Sequence, residues 1–142
     1  NENTFAGHLA ATGKAYELMA RLLAGNEDNI QKLKSVSVEY ADAAIQYIKS
    51  HFNEDITVQS IADHIGIGRS YLSVIFSRHT SMPPVEYLVR YRVDQAGKML
   101  KQGLSVTDTA INCGFNSPSH FSVQFKKITG RTPAEFRKRK GQ

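Results

Sequence analysis

Apolar residues recur every three to four positions along most of the 142-residue chain, the spacing that places them on one face of an α-helix. No stretch of useful length shows the strict alternation of a β-strand, so the pattern predicts an all-α fold. Near the start, a helical stripe stops at Gly25-Asn26, and a short second piece around Ile30 and Leu33 leads into a polar connector. The stripe consists of Leu9, Tyr16, Met19, Leu22 and Leu23.

A continuous helical pattern begins at Val36 and closes between His51 and Glu54. Its apolar stripe consists of Tyr40, Ala44, Ile45, Ile48 and Phe52. We therefore divide the chain into an N-terminal part, residues 1–35, and a second domain, residues 36–142. The stripe in residues 9–23 is either a dimer contact or a face that packs within the chain.

Residues 56–80 have the pattern of a helix-turn-helix. Thr57 stands at an N-cap position, and Gly66 provides the left-handed residue that a tight turn between helices requires. A second helix runs from about Gly68 to His79, with Leu72, Ile75 and Phe76 on its inner face. The residues predicted to point outward are Arg69, Ser70, Ser73, Val74 and Ser77.

A linking helix follows over residues 84–101. Pro83-Pro84 opens it, because a proline in the first turn sacrifices no hydrogen bond, and Gly103 ends it. At 1.5 Å per residue the helix is a rod of roughly 25 Å. Its apolar stripe consists of Leu88, Tyr91, Ala96, Met99 and Leu100.

Residues 105–129 form a second helix-turn-helix. Ser105 and Asp108 have the spacing of a capping box, and Gly114 makes the turn. Asn116 or Ser117 caps the following helix, whose inner face carries Phe121, Phe125 and Ile128. The outward residues are Ser119, His120, Val123, Lys126 and Lys127.

The two helix-turn-helix segments are copies of one unit. Residues 61–66 match residues 109–114 at an offset of 48, and the residues that follow match at an offset of 49. At that offset Ser70 corresponds to Ser119 and Val74 to Val123, so the two outward faces are built alike. A duplicated unit suits a partner that is itself periodic. The other matched pairs include Phe76 with Phe125, Thr80 with Thr129, Pro84 with Pro133, and Glu86 with Glu135.

Charge is divided unevenly along the chain. Residues 1–55 contain eight acidic and five basic side chains, whereas residues 56–142 contain five acidic and thirteen basic ones. A basic excess confined to the repeated half indicates a polyanion partner, although an acidic membrane surface would also attract it. Successive major grooves on one face of B-DNA lie about 34 Å apart. The rod, with one unit packed on each end, fits that spacing.

Composition argues against several other classes of protein. The single cysteine, Cys113, excludes an intramolecular disulfide and fits a reducing cytoplasm; core packing and redox sensing are its two alternative roles. The five histidines lack a metal-ligand spacing, and no phosphate loop or nucleophile motif occurs, so we expect neither an enzyme nor a cofactor. No apolar run is long enough to span a membrane. Because the first residue is Asn1, we expect a piece of a longer or processed protein.

Residues 114–127 carry the sequence Gly-Phe-Asn-Ser-Pro-Ser-His-Phe-Ser-Val-Gln-Phe-Lys-Lys, followed by Gly130 and by Pro133-Ala134-Glu135-Phe136-Arg137. Together with Tyr71-Leu72, Phe76 and Glu86-Tyr87-Leu88 in the first copy, this pattern resembles the DNA-binding domain of the AraC/XylS family of transcription regulators. The resemblance covers residues 56–138.

The resemblance implies a seven-helix domain whose two recognition helices enter adjacent major grooves of double-stranded DNA. It also implies an upstream domain that senses a sugar or another small molecule, with residues 1–35 as linker and dimerisation helices. A bacterial, nucleoid-associated homodimeric activator that contacts RNA polymerase would fit this picture. The alternative is a helical adaptor that binds another protein through residues 1–55 and binds polyanions without specificity.

By position, the family's base-facing sites fall on Ser70, Ser73, Val74, Ser119, His120 and Val123. Serine discriminates poorly between base edges, and valine favours the thymine methyl group. His120 alone among these residues has a strong hydrogen-bonding head, although a solvated role for it is equally open. We therefore expect much of the affinity to come from phosphate contacts by Arg69, Arg78, Lys126, Lys127 and Arg131, with Ser77 beside them.

Two departures from the family pattern fall in the first unit. Gly68 replaces the usual capping serine, at a cost of a few tenths of a kcal/mol. Ser81 replaces a helix-ending glycine, which would strain a left-handed C-cap by roughly 1 kcal/mol. The first unit is therefore expected to be the softer of the two.

Overall fold

The computed structural model describes residues 13, 15–21 and 27–138 of the chain. Residues 13 and 15–21, called here the N-terminal helical segment, are helical. The described part contains helices and no strands, which confirms the all-α prediction. Its further helices are α1 Glu27–His51, α2 Val58–Ile65, α3 Arg69–Thr80, α4 Pro84–Lys101, α5 Val106–Asn112, α6 Pro118–Thr129 and α7 Pro133–Lys138.

Helix α1 differs from the prediction at its start. It runs for 25 residues from Glu27 without a break, so the polar connector expected before Val36 is wrong. Glu27 and Asp28 lie in its first turn, where negative charge is stabilised by the helix dipole. Its end at His51 agrees with the prediction. Leu9, Leu22, Leu23 and Gly25-Asn26 of the predicted N-terminal stripe lie outside the described residues.

The chain divides into two compact units. Unit 1 comprises Asn1–Gln46 and Val58–Pro83, and it contains the first helix-turn-helix. Unit 2 comprises Tyr47–Thr57 and Pro84–Gln142, and it contains the linking helix α4 together with the second helix-turn-helix. The linking helix is thus an integral part of unit 2.

In unit 1, α2 packs against α3. The inner face predicted for α3 is confirmed, since Leu72, Ile75 and Phe76 are buried. In the part of α1 that belongs to unit 1, Ala41 and Ala44 have no exposed surface. The imidazole Nε2 of His79, near the end of α3, lies 2.9 Å from the Asp42 carboxylate on α1.

Unit 2 is organised around α4, which contacts α5, α6 and α7. The predicted inward residues Phe121 and Phe125 are fully buried, and their rings lie 5.5 Å apart. Two small residues, Ala96 and Ala110, allow the helices to approach closely. The buried cluster consists of Val93, Ala96, Leu100, Ala110, Cys113, Phe115, Phe121 and Phe125.

The turn of the second helix-turn-helix requires glycine for two reasons. Gly114 has φ +80°, a conformation that other residues rarely adopt. A Cβ at this position would also lie 2.7 Å from the carbonyl oxygen of Phe52. The residues that directly follow α1 therefore lie against this turn.

Candidate nucleic-acid interface

The repeat seen in the sequence is also a repeat of hydrogen-bonding geometry. At the end of α3, the Thr80 hydroxyl lies 2.8 Å from the carbonyl oxygen of Phe76 and 2.9 Å from that of Met82. At the end of α6, the Thr129 hydroxyl lies 2.8 Å and 3.1 Å from the carbonyl oxygens of the residues four before and two after it. Both candidate recognition helices therefore stop in the same way.

The C-caps match as well. Ser81 has φ 65° and ψ 17°, and its N–H donates to the carbonyl of Ser77. Gly130, at an offset of 49, has φ 81° and ψ 0°, and its N–H donates to the carbonyl of Lys126. The left-handed conformation predicted for Ser81 is confirmed, and among the described residues Ser81 alone has it without being glycine.

The N-caps of the two helices differ. Gly68 caps α3 without a side-chain hydrogen bond, as predicted. Ser117 caps α6, where its hydroxyl accepts a 3.0 Å hydrogen bond from the N–H of His120, and this settles the alternative between Asn116 and Ser117. The predicted cap at Ser105 is confirmed by a 3.0 Å hydrogen bond from the N–H of Asp108.

On α3, the predicted contact residues differ in accessibility. Val74 is 40% exposed, and Arg69 and Arg78 are exposed. The Ser73 hydroxyl donates to the carbonyl of Arg69 at 3.1 Å, so it already has a partner within its own helix. The three serines of this set, Ser70, Ser73 and Ser77, are half-buried.

On α6, the predicted residues form a more open surface. Val123 is 63% exposed, and Ser119, His120, Lys126 and Lys127 are exposed too. The His120 imidazole packs edge-on against the Phe115 ring, 5.9 Å between centroids, which orients its ring nitrogens. Arg131, one residue beyond the C-cap, is half-buried.

The two helices are similar in charge. Neither α3 nor α6 contains an acidic residue, and basic residues occupy the last turn of each. In the described part of the chain, no carboxylate lies within 4 Å of the ammonium group of Lys126 or Lys127. Their ammonium groups are therefore available to an external anion such as a phosphate.

Arg92, on α4, is an important residue that the sequence analysis missed. Its guanidinium donates to the carbonyl oxygens of Phe52 at 2.6 Å and Glu54 at 2.7 Å, and it lies 5.8 Å from the centre of the Phe115 ring. Burial lowers its pKa. Arg92 thus fixes the residues after α1 against the second helix-turn-helix. Only its place in the middle of the linking helix could have drawn attention to it.

Cys113 has a packing role. It has no exposed surface, and its sulfur lies 3.7 Å from that of Met99. Burial raises the pKa of the thiol to about 11, so the reactive thiolate is scarce near neutral pH.

Residues 13, 15–21 and 27–138 contain neither a candidate metal site nor a candidate membrane-spanning helix. No group of three or more His, Cys, Asp or Glu side chains is arranged to hold a metal ion there. No helix in this part combines the length and the apolar character that crossing a membrane demands.

The sequence matches a family model described as a helix-turn-helix domain over residues 61–139, more than half of the chain. The chain belongs to the AraC-type helix-turn-helix family. The predicted family resemblance is confirmed, and the relatives of this AraC-type chain are transcription regulators.

An HTH-type transcriptional regulator from Pseudoalteromonas carrageenovora, named for its place in the cgkA 5' region, is 36% identical over 95 residues, which cover 67% of this chain and 57% of the relative. A transcriptional regulator from Chromobacterium violaceum with an AraC-type DNA-binding domain is similar in structure. Its TM-score is 0.69 at 26% identity, covering 76% of this chain and 97% of that one.

The DNA-binding domain of the global transcriptional factor AdpA, solved in complex with a target DNA, has a TM-score of 0.66 at 28% identity. The alignment covers 68% of this chain and 88% of that one. The AraC-type chain described here spans about half the length of the curated relatives it matches.

Proposed function

We propose that this chain binds double-stranded DNA by inserting α3 and α6 into adjacent major grooves, as the DNA-binding part of a transcription regulator. The observation that carries the proposal is the duplicated helix ending, with Ser81 and Gly130 in the same conformation at an offset of 49. Two helices that end alike, carry no acid and have basic last turns suit a polyanion with a repeating surface.

The contacts divide into two kinds. Lys126 and Lys127 supply phosphate contacts that are the same for every DNA sequence. Both are exposed, and neither has a carboxylate partner among the described residues. Val123 and His120 supply base contacts, the valine through a thymine methyl group and the imidazole through a hydrogen bond. On α3, Val74 has the position that corresponds to Val123, and Ser70 has the position that corresponds to Ser119. The remaining proposed contacts are Arg69, Ser73, Ser77, Arg78, Ser119 and Arg131.

The regulatory part of the proposal concerns sequence beyond this chain. In this proposal an upstream domain senses a small molecule, for example a sugar. Two chains form a dimer through residues 1–35 or through that upstream domain. Binding of the effector changes the geometry or the effective concentration of the paired domains on DNA. Activation then proceeds through contact with RNA polymerase.

The proposal is tested by replacing Lys126 and Lys127 with alanine together. The affinity for a duplex selected from random DNA is measured across a range of salt concentrations. Because each phosphate contact adds roughly 0.9 to the slope of log affinity against log salt, we expect the double variant to lose about two units of slope for all sequences alike.

The matched control removes two lysines from α1, Lys32→Ala with Lys34→Ala. It changes the net charge equally and should leave the slope unchanged. Val123→Ala and His120→Ala should each alter preference at a single base position. A lysine pair that changed only one base position would contradict this division of the contacts. If the DNA affinity of the unaltered chain did not change with salt concentration, the helical adaptor would be favoured instead.

A further inference from the structure

The N-terminal helical segment lies beside the face of α3 that is proposed to enter DNA. The ring of Tyr16 on the segment lies 6.3 Å from the ring of Tyr71 on α3, and the Arg78 guanidinium lies 5.7 Å from the centre of the Tyr16 ring. Between them is a groove of about 470 Å³. Its lining residues are Gly13, Tyr16, Glu17 and Ala20 from the segment, and Ser70, Tyr71, Val74 and Arg78 from α3.

Three of the four α3 residues in this groove, Ser70, Val74 and Arg78, are among the proposed DNA contacts. The major groove is about 12 Å wide and admits one α-helix, whose diameter with side chains is about 10–12 Å. A second helix on the same face of α3 occupies the space that bases and phosphates would need. The contact with the segment and the insertion of α3 therefore exclude each other.

The chemistry of the contact is also competitive. The Arg78 cation faces the π-electrons of Tyr16, an interaction that a phosphate would replace with a stronger charge pair. Glu17 lines the same groove and is held in a 2.9 Å ion pair with Arg21 of its own helix. The segment thus brings a carboxylate close to the surface that DNA phosphates would approach.

The Tyr71 ring has an aromatic neighbour from the segment and another from α1. Tyr40 of α1 meets the Tyr71 ring edge-on at 6.3 Å, and Tyr16 meets it from the segment at the same distance. Tyr16 itself remains 40% exposed, and Met19 remains 54% exposed. These two apolar side chains of the segment are therefore only partly covered by the rest of unit 1.

We propose that the N-terminal helical segment is an intramolecular latch, which covers the DNA-facing side of α3 through Tyr16 and must leave before α3 enters a major groove. The inference rests on the DNA-binding role proposed above for α3. It assigns the segment a regulatory function, because any event that moves the segment changes the affinity of the first helix-turn-helix for DNA.

The test is Tyr16→Ala, measured by fluorescence anisotropy on a duplex selected with the unaltered chain at one salt concentration. Loss of the aromatic and cation contacts should tighten binding roughly three- to tenfold. The control is Leu18→Ala on the same segment. Leu18 is 63% exposed and does not line the groove, so its variant should bind as the unaltered chain does. Unchanged or weaker binding of Tyr16→Ala would overturn the latch.

Hydrogen exchange gives a second readout that does not depend on affinity. In the unaltered chain, saturating DNA should speed amide exchange in residues 15–21 and slow it in α3, because the two contacts exclude each other. Slower exchange in both regions would show that the segment stays in place on DNA and would reject the latch. If neither the unaltered chain nor Tyr16→Ala binds any duplex, the proposed function fails and the latch falls with it. A failure of the latch alone leaves DNA binding intact.

Discussion

Thr109 is a polar side chain enclosed by the core of unit 2. It is fully buried on α5, and within the described part of the chain its hydroxyl has no hydrogen-bond partner. An unsatisfied buried hydroxyl costs about 1–3 kcal/mol, because the water that it loses on folding is not replaced. The size of the side chain suits this position, and its hydroxyl does not.

Thr109→Val should therefore stabilise the protein, since valine has nearly the same shape and no polar atom to desolvate. We expect the free energy of unfolding, measured by urea denaturation, to rise by about 1–2 kcal/mol. Thr107→Val on the exposed side of the same helix is the control and should change it little. A loss of stability at position 109 would mean that the hydroxyl has a partner in solution.

Because of Cys113, the free energy of unfolding should depend on pH in the alkaline range. Burial raises the pKa of its thiol from 9.0 to about 11, so the folded state keeps the proton at a pH where the unfolded state releases it. The stabilising contribution is complete below about pH 9 and is lost as the pH rises from 9 toward 11. We expect the urea midpoint to fall over this range.

Cys113→Ala separates this effect from other alkaline titrations. We expect the variant to be less stable at neutral pH, because it leaves a cavity beside Met99, but it has no thiol to titrate. The difference in unfolding free energy between the two proteins should narrow from pH 9 to pH 11. A constant difference would show that the thiol does not titrate with a raised pKa.

At the scale of helices, the sequence predicted best the features that depend on neighbouring residues. Ser105, Gly66 and Gly114 were recognised, and Ser117 was one of two cap candidates, because a cap or a left-handed turn needs a particular residue type at a particular position. The start of α1 was missed, because a polar exposed turn such as residues 27–35 has few apolar residues to mark it. Glu27 and Asp28, together with the short helical piece around Ile30 and Leu33, were the signals that could have located it.

The helix endings offer a reciprocal experiment. Ser81→Gly should relieve the cost of a left-handed serine, about 1–2 kcal/mol, partly offset by the extra freedom that glycine has when unfolded. We expect a net gain of about 0.5–1 kcal/mol in urea denaturation. Gly130→Ser should cost a similar amount, because a Cβ at that position meets nothing within 4 Å and the strain alone remains. Changes of the same sign would reject the equivalence of the two endings.

At the scale of the whole molecule, the duplicated units and the excess of positive charge were evident from sequence, since both are sums over many residues. Contacts between residues far apart in the sequence were not. Arg92 donates to carbonyl groups 38 and 40 positions earlier, and Tyr16 meets Tyr71, which lies 55 positions later in the sequence. Neither pairing leaves a local pattern. Only the fold therefore reveals that Arg92 holds the residues after α1 and that the N-terminal helical segment lies beside α3.

The two helix-turn-helix units should also differ in stability. Helix α3 begins at an N-cap without a side-chain hydrogen bond and ends at a strained serine, whereas α6 has Ser117 at its start and Gly130 at its end. We expect native-state hydrogen exchange to show that α3 opens at a lower free energy than α6. Equal protection of the two helices would contradict this ranking.

Gly68→Ser combined with Ser81→Gly gives α3 the same cap residues as α6. Gly68 has the extended conformation of an N-cap and open space around it, so a serine fits there without strain. The double variant should slow exchange in residues 69–80 by an amount corresponding to roughly 1 kcal/mol, and leave residues 118–129 unchanged. Slower exchange in both helices would indicate that the two helix-turn-helix units open together. The caps of α3 would then not determine the opening free energy of the first unit separately.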